Sequence, residues 1–435
     1  MRLNHLFLDF NSYFASCEQH LRPELRGRAL GIVAVKAETG CCIAASIEAK
    51  KWGVKTGTLV YEARNLCPNI LFVEARPREY VKLHETLLEI IERQMHIEAV
   101  HSIDELSCRL TGHWQEKAAA LELAAQIKRV IRREVGPAIR CSIGLGPNMF
   151  LAKTATDMQK PDGLVVLDDT NLPGALHALE LRDLCGIGRH LEDRLLRGGI
   201  ATVAELTAAD HRQLRAIWGG VEGERFWAKL RGVDLPLEPA RKTHIGHSHV
   251  LPPDLRTEPR ALATLHRLLQ KAAMRLRAKE FFAGELTVSV DYQGGEDWSA
   301  AASFDATQDT VELARTLDEL WAQRPPLAPG TRPFWVGATL TGLEHARDHT
   351  PSLFRSDAGR RTPLLRAADK LNLRYGNGAI YWAAAHDARA AAPMRIAFNR
   401  IPEMEIEQET GWMGTAPKLT ARLVKKQHPR EPIAN

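Results

Sequence analysis

The sequence lacks a long apolar run and lacks any recognisable cysteine motif. No apolar stretch approaches the ~18 residues that would cross a membrane, so no membrane span is expected. The first apolar stretch is cut short by Asp9, which argues against a signal peptide. The seven cysteines include no C-x-x-C pair and no histidine spacing that suits zinc. We therefore expect a reduced, cytoplasmic protein.

Length and charge bound the remaining possibilities. A chain of 435 residues predicts about three domains at the usual ~150 residues each. The net charge is only +5, but residues 346–435 contain fifteen Lys and Arg against nine Asp and Glu. The whole excess of positive charge therefore falls on the C-terminal part. Such a surface suits a polyanionic partner, although a merely soluble tail would have the same composition.

Three acidic residues form the first candidate site. Asp9 ends the apolar run of residues 6–8, and Asp104 and Glu105 stand side by side in the segment 101–106. Adjacent carboxylates repel each other, and a divalent cation would relieve that repulsion. Two Mg²⁺ ions held by such acids could support phosphoryl transfer. A lone acidic pair is more often a solvated turn, so the flanking residues decide between these interpretations.

The order of elements around these acids is informative. We expect a strand before Asp9, a helix beginning at Tyr13, and a strand pair at 100–110 that carries Asp104 and Glu105. Amphipathic helices are expected on either side of that strand pair, followed by a strand at 139–144 and a helix from Met149. This order is typical of a split βαβ unit, in which the acids lie on adjacent central strands. In the sequence between the helix that begins at Tyr13 and the strand pair, we expect a strand at 29–35 and a helix at 43–52.

Glycine-rich turns mark a change of character between residues 181 and 234. Gly186 and Gly188 lie between helical segments, and further glycine pairs follow at 198–199 and 219–220. Without a Cβ, the backbone N–H groups of such a turn can approach a phosphate closely. We interpret the region as a helix-hairpin-helix that grips a DNA backbone, with Arg189 as a further candidate contact. A plain helix-helix turn is the alternative.

A proline-rich tether at 236–243 separates this region from a second βαββαβ pattern at 244–345. The tether includes Arg241 and Lys242, which are candidate DNA contacts. The second pattern has no acidic constellation of its own and suits a ligand platform better than an active site. Beyond it we expect a basic helix at 360–373, a short strand at 403–407 and a disordered C-terminus.

Taken together, the motifs resemble those of the Y-family, or translesion, DNA polymerases. Residues 8–18, 101–105, 141–148 and 151–163 resemble motifs of this family in the same order, and the hairpin at Gly186 fits as well. Residues 16–18 and 48–50 favour the UmuC-like branch, the catalytic subunit of polymerase V. The resemblance covers roughly residues 1–345.

The resemblance implies an α+β multidomain right-hand polymerase with a ferredoxin-like palm, small fingers, a helix-hairpin-helix thumb and a βαββαβ little finger. The expected bounds are 1–25 and 75–167 for the palm, 26–74 for the fingers, 168–235 for the thumb, 236–243 for the linker, 244–345 for the little finger and 346–435 for a basic, partly disordered C-terminal region.

The resemblance also implies roles for individual residues. Asp9, Asp104 and Glu105 would be the catalytic acids and would bind two Mg²⁺ ions, with the backbone carbonyl of Phe10 as an added ligand. Phe14 would be the steric gate that excludes a 2′-hydroxyl by its bulk, although a core aromatic is the more common fate of a phenylalanine. The remaining nucleotide contacts would be Tyr13, Lys50 and Lys160, the last as a point charge on the triphosphate.

The fingers depart from the family pattern. The family often reads Thr-x-x-Tyr-x-x-Arg there, and the corresponding residues are Ala44, Ile47 and Lys50. Ala44 and Ile47 cannot donate a hydrogen bond, and each lost donor costs on the order of 1 kcal/mol. Lys50 keeps the charge but not the bidentate fork of an arginine. We expect weak apparent affinity for dNTPs.

The sequence thus predicts an error-prone, DNA-templated polymerase that adds dNTPs to a primer 3′-OH and acts in SOS-type damage tolerance. A non-catalytic, DNA-binding scaffold that recruits other polymerases is the main alternative, and a palm-domain cyclase or nuclease is a third. Leu353 and Phe354 resemble part of a sliding-clamp peptide, and a loop touching its own domain is about as plausible. UmuD-like and RecA partners follow from the resemblance alone.

Overall fold

A computed structural model describes residues 1–34, 38, 40–236, 243–350, 358–389, 391–392, 396 and 401–402. The chain forms two compact units, one from Met1–Arg241 with Met394–Met404 and one that includes Lys242–Pro393. No helix in the described part combines the length and apolarity that crossing a bilayer requires. Several sequence-based predictions lie on residues outside the described ranges: Arg241, Lys242, most of the linker at 236–243, Leu353, Phe354, the strand at 403–407 and the disordered C-terminus.

The first unit is built on a five-stranded sheet with β1 at its centre. Its strands are β1 (His5–Phe10), β5 (Ile97–Val100), β6 (Glu105–Arg109), β7 (Cys141–Gly146) and β8 (Leu164–Val166), in the order β5-β6-β1-β7-β8. The neighbours of β1 are both antiparallel to it. Its helices are α1 (Tyr13–Leu21), α4 (Pro77–Glu92), α5 (Lys117–Glu134) and α6 (Met149–Met158). The predicted order of strand, helix, strand pair, helix and strand is confirmed.

The two faces of this sheet are packed differently. Alternate residues of a strand point to opposite sides, and Leu6, Leu8 and Phe10 join the core formed with α4 and α5. His5, Phe7 and Asp9 therefore share the other face. Helix α6 crosses that face at Gly144, where an added Cβ would lie 2.0 Å from the carbonyl oxygen of Ala152. The absence of a side chain on β7 thus lets α6 lie directly against the sheet.

The residues between α1 and α4 in the sequence form a smaller sheet. It contains β2 (Leu30–Val33), β3 (Cys42–Ala45) and β4 (Leu71–Glu74), with β2 in the middle, and carries α2 (Ile47–Lys50) and α3 (Val60–Leu66). The predicted helix at 43–52 is wrong for its first part. Gly31 and Ile32 pair with Ala45 and Ala44, so sheet pairing overrides helical propensity until Ser46 caps the short helix α2.

Four short helices follow in the first unit: α7 (Arg189–Arg197), α8 (Val203–Ala208), α9 (His211–Trp218) and α10 (Val221–Leu230). They surround an apolar cluster that includes Leu195, Leu206 and Leu214. Gly186 has a φ of +94°, a backbone conformation that favours glycine, just before α7 begins. The predicted helical region with a glycine turn is therefore present.

The second unit has the βαββαβ order that the sequence predicts. Its elements are β9 (Ile245–Val250), α11 (Glu258–Ala278), β10 (Phe281–Gln293), β11 (Trp298–Thr307), α12 (Thr310–Ala322), β12 (Arg332–Thr341), β13 (Glu344–His345) and α13 (Ala358–Tyr375). Four strands form a sheet in the order β11-β10-β12-β9, and β13 pairs with β10. Helices α11 and α12 share an apolar core with this sheet. Helix α13 corresponds to the predicted basic helix at 360–373.

Candidate active site

The pairing of β1 with β6 brings the three acids together. Asp9 lies directly opposite Glu105 in the antiparallel register. Asp104 precedes β6, and its carbonyl oxygen accepts a hydrogen bond from the N–H of Phe10 at 2.8 Å. The turn before β6 is closed by the backbone N–H groups of His101 and Ser102, which both donate to the carbonyl of Glu105. The structure thus places Asp9 opposite Glu105 on adjacent strands, with Asp104 immediately before the second strand.

The acids influence one another electrostatically. Burial raises the pKa of Asp104 to about 6, and the negative charges of Asp9 and Glu105 act in the same direction, against a 2.6 Å hydrogen bond from the Ser102 hydroxyl. Burial also raises the pKa of Asp9, while Lys160 opposes that effect and Glu105 adds to it. Two of these neighbouring carboxylates, Asp9 and Asp104, are therefore poorly hydrated.

Two lysines balance this charge. The ammonium group of Lys160 lies 2.7 Å from Asp9 and 2.7 Å from Asp157. Lys153, on α6, donates to both carboxylate oxygens of Glu105 at 2.8 Å and lies 5.0 Å from the ring centre of Phe7. Sequence reasoning did not single out Lys153. The close approach of α6 to the sheet is what places it there, and sequence spacing alone does not reveal such an approach.

The donor set suits hard divalent cations. Carboxylate oxygens are the ligands that Mg²⁺ prefers, and positive charge placed among Asp9, Asp104 and Glu105 would relieve the repulsion between them, which adds to burial in raising the pKa values of Asp9 and Asp104. Within the described ranges, no three acidic, histidine or cysteine side chains are already gathered as a metal centre. Binding by Asp9 and Glu105 would therefore exchange their lysine contacts for contacts with a cation.

A cavity of about 510 Å³ lies beside Asp9 and Asp104. Its walls come from the palm and from the fingers, and its lining includes Asp9, Phe10, Ala44, Ile47, Lys50 and Lys160. The three finger positions that depart from the family pattern therefore do face the site. Burial lowers the pKa of Lys50, and the charge of Lys160 adds to the effect. Arg140, Lys51 and Thr56 also line the cavity and were missed from the sequence, because they lie far apart in the chain.

Tyr13 and Phe14 begin helix α1, and both side chains are fully buried. The Phe14 ring stacks on Tyr80 with ring centres 5.0 Å apart, and the Tyr13 hydroxyl donates to the carbonyl of Tyr80 at 2.8 Å. Neither residue is among those that line the 510 Å³ cavity. The role of Phe14 as a steric gate therefore stays a prediction, and its packing against Tyr80 is what the structure shows.

The glycine turn at Gly186 and Gly188 is distant from the three acids in the sequence but belongs to the same unit. Gly186, Gly188 and Arg189 are exposed. A Cβ built on Gly186 or Gly188 would meet no atom within 4 Å, so packing within the protein does not require a glycine at either position. An open backbone of this kind suits the approach of a phosphate, as the sequence predicts.

The sequence matches models of one protein family. Residues 8–157 match the impB/mucB/samB family, and residues 242–353 match the C-terminal domain of that family. DNA polymerase IV of Moorella thermoacetica is 35% identical over 389 residues, which are 86% of this chain and 94% of the relative. DNA polymerase IV 1 of Bacillus subtilis is 27% identical over 406 residues, covering 90% of this chain and 95% of the relative.

Solved structures have a similar fold. A Y-family DNA polymerase chimera of Dbh and Dpo4 gives a TM-score of 0.66 at 24% identity, over 78% of this chain and 99% of that one. An insertion ternary complex of Dbh DNA polymerase gives a TM-score of 0.53 at 24% identity, over 78% and 98%. At this identity the likeness concerns the fold, which is the right-hand architecture expected from the sequence.

The expected placement in the UmuC-like branch is not supported, because these relatives are named DNA polymerase IV. The residues that favoured that branch have structural contacts instead. The buried carboxylate of Glu18 accepts hydrogen bonds from Arg76 at 2.7 and 2.9 Å and from the Tyr80 hydroxyl at 2.8 Å. Glu48 accepts one from Gln19 at 3.1 Å. These side chains connect neighbouring elements of the first unit.

Proposed function

The chain belongs to the impB/mucB/samB family of Y-family DNA polymerases and is a translesion DNA-directed DNA polymerase, and from this premise we propose that Asp9, Asp104 and Glu105 are its catalytic acids. The observation that carries the proposal is the register of β1 and β6, which sets Asp9 opposite Glu105 beside a cavity of about 510 Å³. The proposed substrates are primer-template DNA and dNTPs. Solved complexes of the related fold include an insertion ternary complex of Dbh DNA polymerase.

In the proposed reaction, the primer 3′-oxygen attacks the α-phosphorus of the dNTP, the bond to the bridging oxygen breaks, and pyrophosphate leaves. The protein contributes position and charge. Asp9, Asp104, Glu105 and the carbonyl of Phe10 would hold two Mg²⁺ ions, which when bound supply positive charge to the reacting oxygens. Lys160 would neutralise phosphate charge, and Phe14 would limit the space beneath the sugar.

A role in SOS-type damage tolerance is part of the proposal and is supported by membership of the family. The scaffold alternative has no observation in its favour, because all three acids are present and share one site. A sliding-clamp partner remains an expectation, since Leu353 and Phe354 lie outside the described ranges. UmuD-like and RecA partners were expected from the family resemblance alone and stay a prediction.

Primer extension by an Asp104→Ala, Glu105→Ala double variant tests this proposal. We expect extension by the wild type with Mg²⁺ and none by the double variant, while fluorescence anisotropy shows that both bind primer-template DNA. Glu122→Ala removes an exposed acid of α5 and serves as the control, which should extend primers normally. Extension by the double variant at the wild-type rate would exclude these acids from catalysis.

A further inference from the structure

The cavity beside Asp9 is lined by four cationic side chains from two directions. Lys50 ends helix α2 and Lys51 follows it, so both belong to the fingers. Arg140 precedes β7 and Lys160 follows α6, so both belong to the palm. All four line the same space of about 510 Å³. Positive charge therefore faces the cavity from both of its walls.

Among the described residues, three of these cations form no ion pair. Lys160 is paired with Asp9 and Asp157. For Lys50, Lys51 and Arg140, by contrast, no carboxylate of a described residue lies within the 4.0 Å of an ion pair. Asp9 and Asp104 also line the cavity, so the four cations outnumber the carboxylates there, and a bound polyanion would balance the surplus of positive charge.

The backbone of Arg140 is fixed next to the acidic residues. Its carbonyl accepts a hydrogen bond from the N–H of Asn11 at 2.9 Å, and the next residue, Cys141, pairs with Phe10. Its side chain is exposed, and the only acceptor it reaches in the described part is the Pro137 carbonyl, 3.5 Å from Nε. A contact of that length is at the limit for a hydrogen bond, so the guanidinium donors are available to a ligand.

Helix α1 adds positive potential to the same cavity. Asn11 and Ser12 line it, and the nine-residue helix begins immediately afterwards. The Ser12 side chain makes no cap hydrogen bond, and the first turn contains no acidic residue. The helix itself therefore places no negative charge at this end, and helix N-termini favour anions.

We propose that Arg140, together with Lys51, binds the phosphate chain of the incoming nucleoside triphosphate and replaces the donors that Ala44 and Ile47 lack. This inference rests on the proposed function and adds residues that the sequence did not indicate. A triphosphate carries roughly three to four negative charges near neutral pH, and an arginine can bind phosphate oxygens through two parallel hydrogen bonds. Recognition of the triphosphate would then depend more on the positive charges that line the cavity than on hydrogen bonds from the fingers.

The test compares Arg140→Gln and Arg140→Lys with the wild type. The dNTP Kd is measured on a primer-template whose primer ends in a dideoxynucleotide, so that no chemistry follows, and kcat and KM are measured on an extendable primer. We expect Arg140→Gln to raise Kd and KM about tenfold with kcat within about twofold, and Arg140→Lys to recover part of the loss. Inorganic tripolyphosphate should inhibit the wild type and inhibit Arg140→Gln about tenfold more weakly.

Arg133→Gln is the matched control, because Arg133 is also exposed but pairs with Glu134 and does not line the cavity. It should leave Kd and tripolyphosphate inhibition unchanged. Thermal melting should show that Arg140→Gln folds normally, since its side chain is exposed. With an active wild type, unchanged Kd and unchanged tripolyphosphate inhibition in Arg140→Gln would overturn this inference alone. A wild type that extends no primer would instead overturn the proposed function.

Discussion

The negative charge of Asp104 destabilises the folded state, although the proposed catalysis requires it. Its pKa in the folded protein is about 6, against 3.8 for the ordinary carboxyl group, because burial and then the charges of Asp9 and Glu105 disfavour ionisation. The folded state therefore binds the proton more tightly than the unfolded state does. By linkage, this group stabilises the fold at low pH, and that contribution is lost as the pH rises from about 4 to 6.

We predict that Asp104→Asn makes the metal-free protein more stable at pH 7, by about 2 kcal/mol, because the amide has no charge to bury. Urea unfolding in EDTA would measure the difference, which should shrink as the pH falls towards 4, where Asp104 is protonated. The variant should also lose primer extension. An unfolding free energy at pH 7 equal to or below that of the wild type would contradict this account.

A second prediction at the residue scale concerns Phe14. If its ring excludes the ribose 2′-hydroxyl, Phe14→Leu should raise the efficiency of ribonucleotide incorporation relative to deoxynucleotide incorporation, by about 100-fold. Competing rNTP and dNTP incorporation at one template position would measure the ratio. The variant should also melt at a lower temperature, because Phe14 is fully buried against Tyr80.

Phe150→Leu is the control for that experiment. Phe150 packs edge-on against Phe226 with ring centres 5.1 Å apart, so the same substitution loosens an aromatic contact away from α1. We expect it to lower stability without changing sugar selection. If Phe14→Leu leaves the ribonucleotide ratio unchanged as well, Phe14 is a core residue and has no part in selecting the sugar.

At the scale of elements, the contact between α6 and β7 determines the positions of Lys153 and Lys160. Helix α6 carries Lys153 and leads into Lys160, and it lies so close to the sheet because residue 144 is a glycine. A displaced helix would move both ammonium groups away from Glu105 and Asp9. This contact therefore connects the packing of the palm with the charge balance of its acids.

We predict that Gly144→Ala destabilises the first unit by about 1–3 kcal/mol, because the new methyl group would collide with the backbone of α6. Urea unfolding would measure the loss, and primer extension should fall in parallel. Gly174→Ala is the control, since a Cβ at that position meets no atom within 4 Å and should change stability by less than about 0.5 kcal/mol. Equal stability of the two variants would show that α6 can move away at no cost.

Sequence patterns predicted most of these elements but fewer of their contacts. The strand before Asp9, the strand pair carrying Asp104 and Glu105, and the second βαββαβ unit are all present, because each has a clear apolar period or a strong acidic marker. The helix expected at 43–52 was wrong at its start, where pairing with β2 decides the conformation. Lys153 and Arg140 were given no role from the sequence, because their positions beside the acids depend on how α6 and β7 pack against β1.

At the scale of the whole molecule, the chain returns to its first unit near its end. Met394–Met404 belongs to that unit, although residues 242–393 belong to the other. Ile396 is buried in the apolar core of the first unit, and Ile401 packs against the same core. Sequence patterns gave no sign of this return, because a single isoleucine has no apolar period to interpret.

We predict that Ile396→Ala lowers the free energy of unfolding of the first unit by about 2–4 kcal/mol, the usual cost of removing a buried aliphatic side chain. Urea unfolding followed by circular dichroism would measure it. Leu196→Ala is the control, because Leu196 lies in the same unit with 50% of its surface exposed and its loss should matter little. Similar, small effects for both variants would mean that Ile396 contributes nothing to the core.

The position of Ile396 also bears on how the protein is made. A ribosome synthesises the chain from its N-terminus, and domains generally fold in that order as they emerge. Strand β1 is translated early, whereas Ile396, which packs in the same core, is translated after residues 242–393 of the second unit. During synthesis the core of the first unit therefore lacks Ile396 until residues 242–393 of the second unit have been translated.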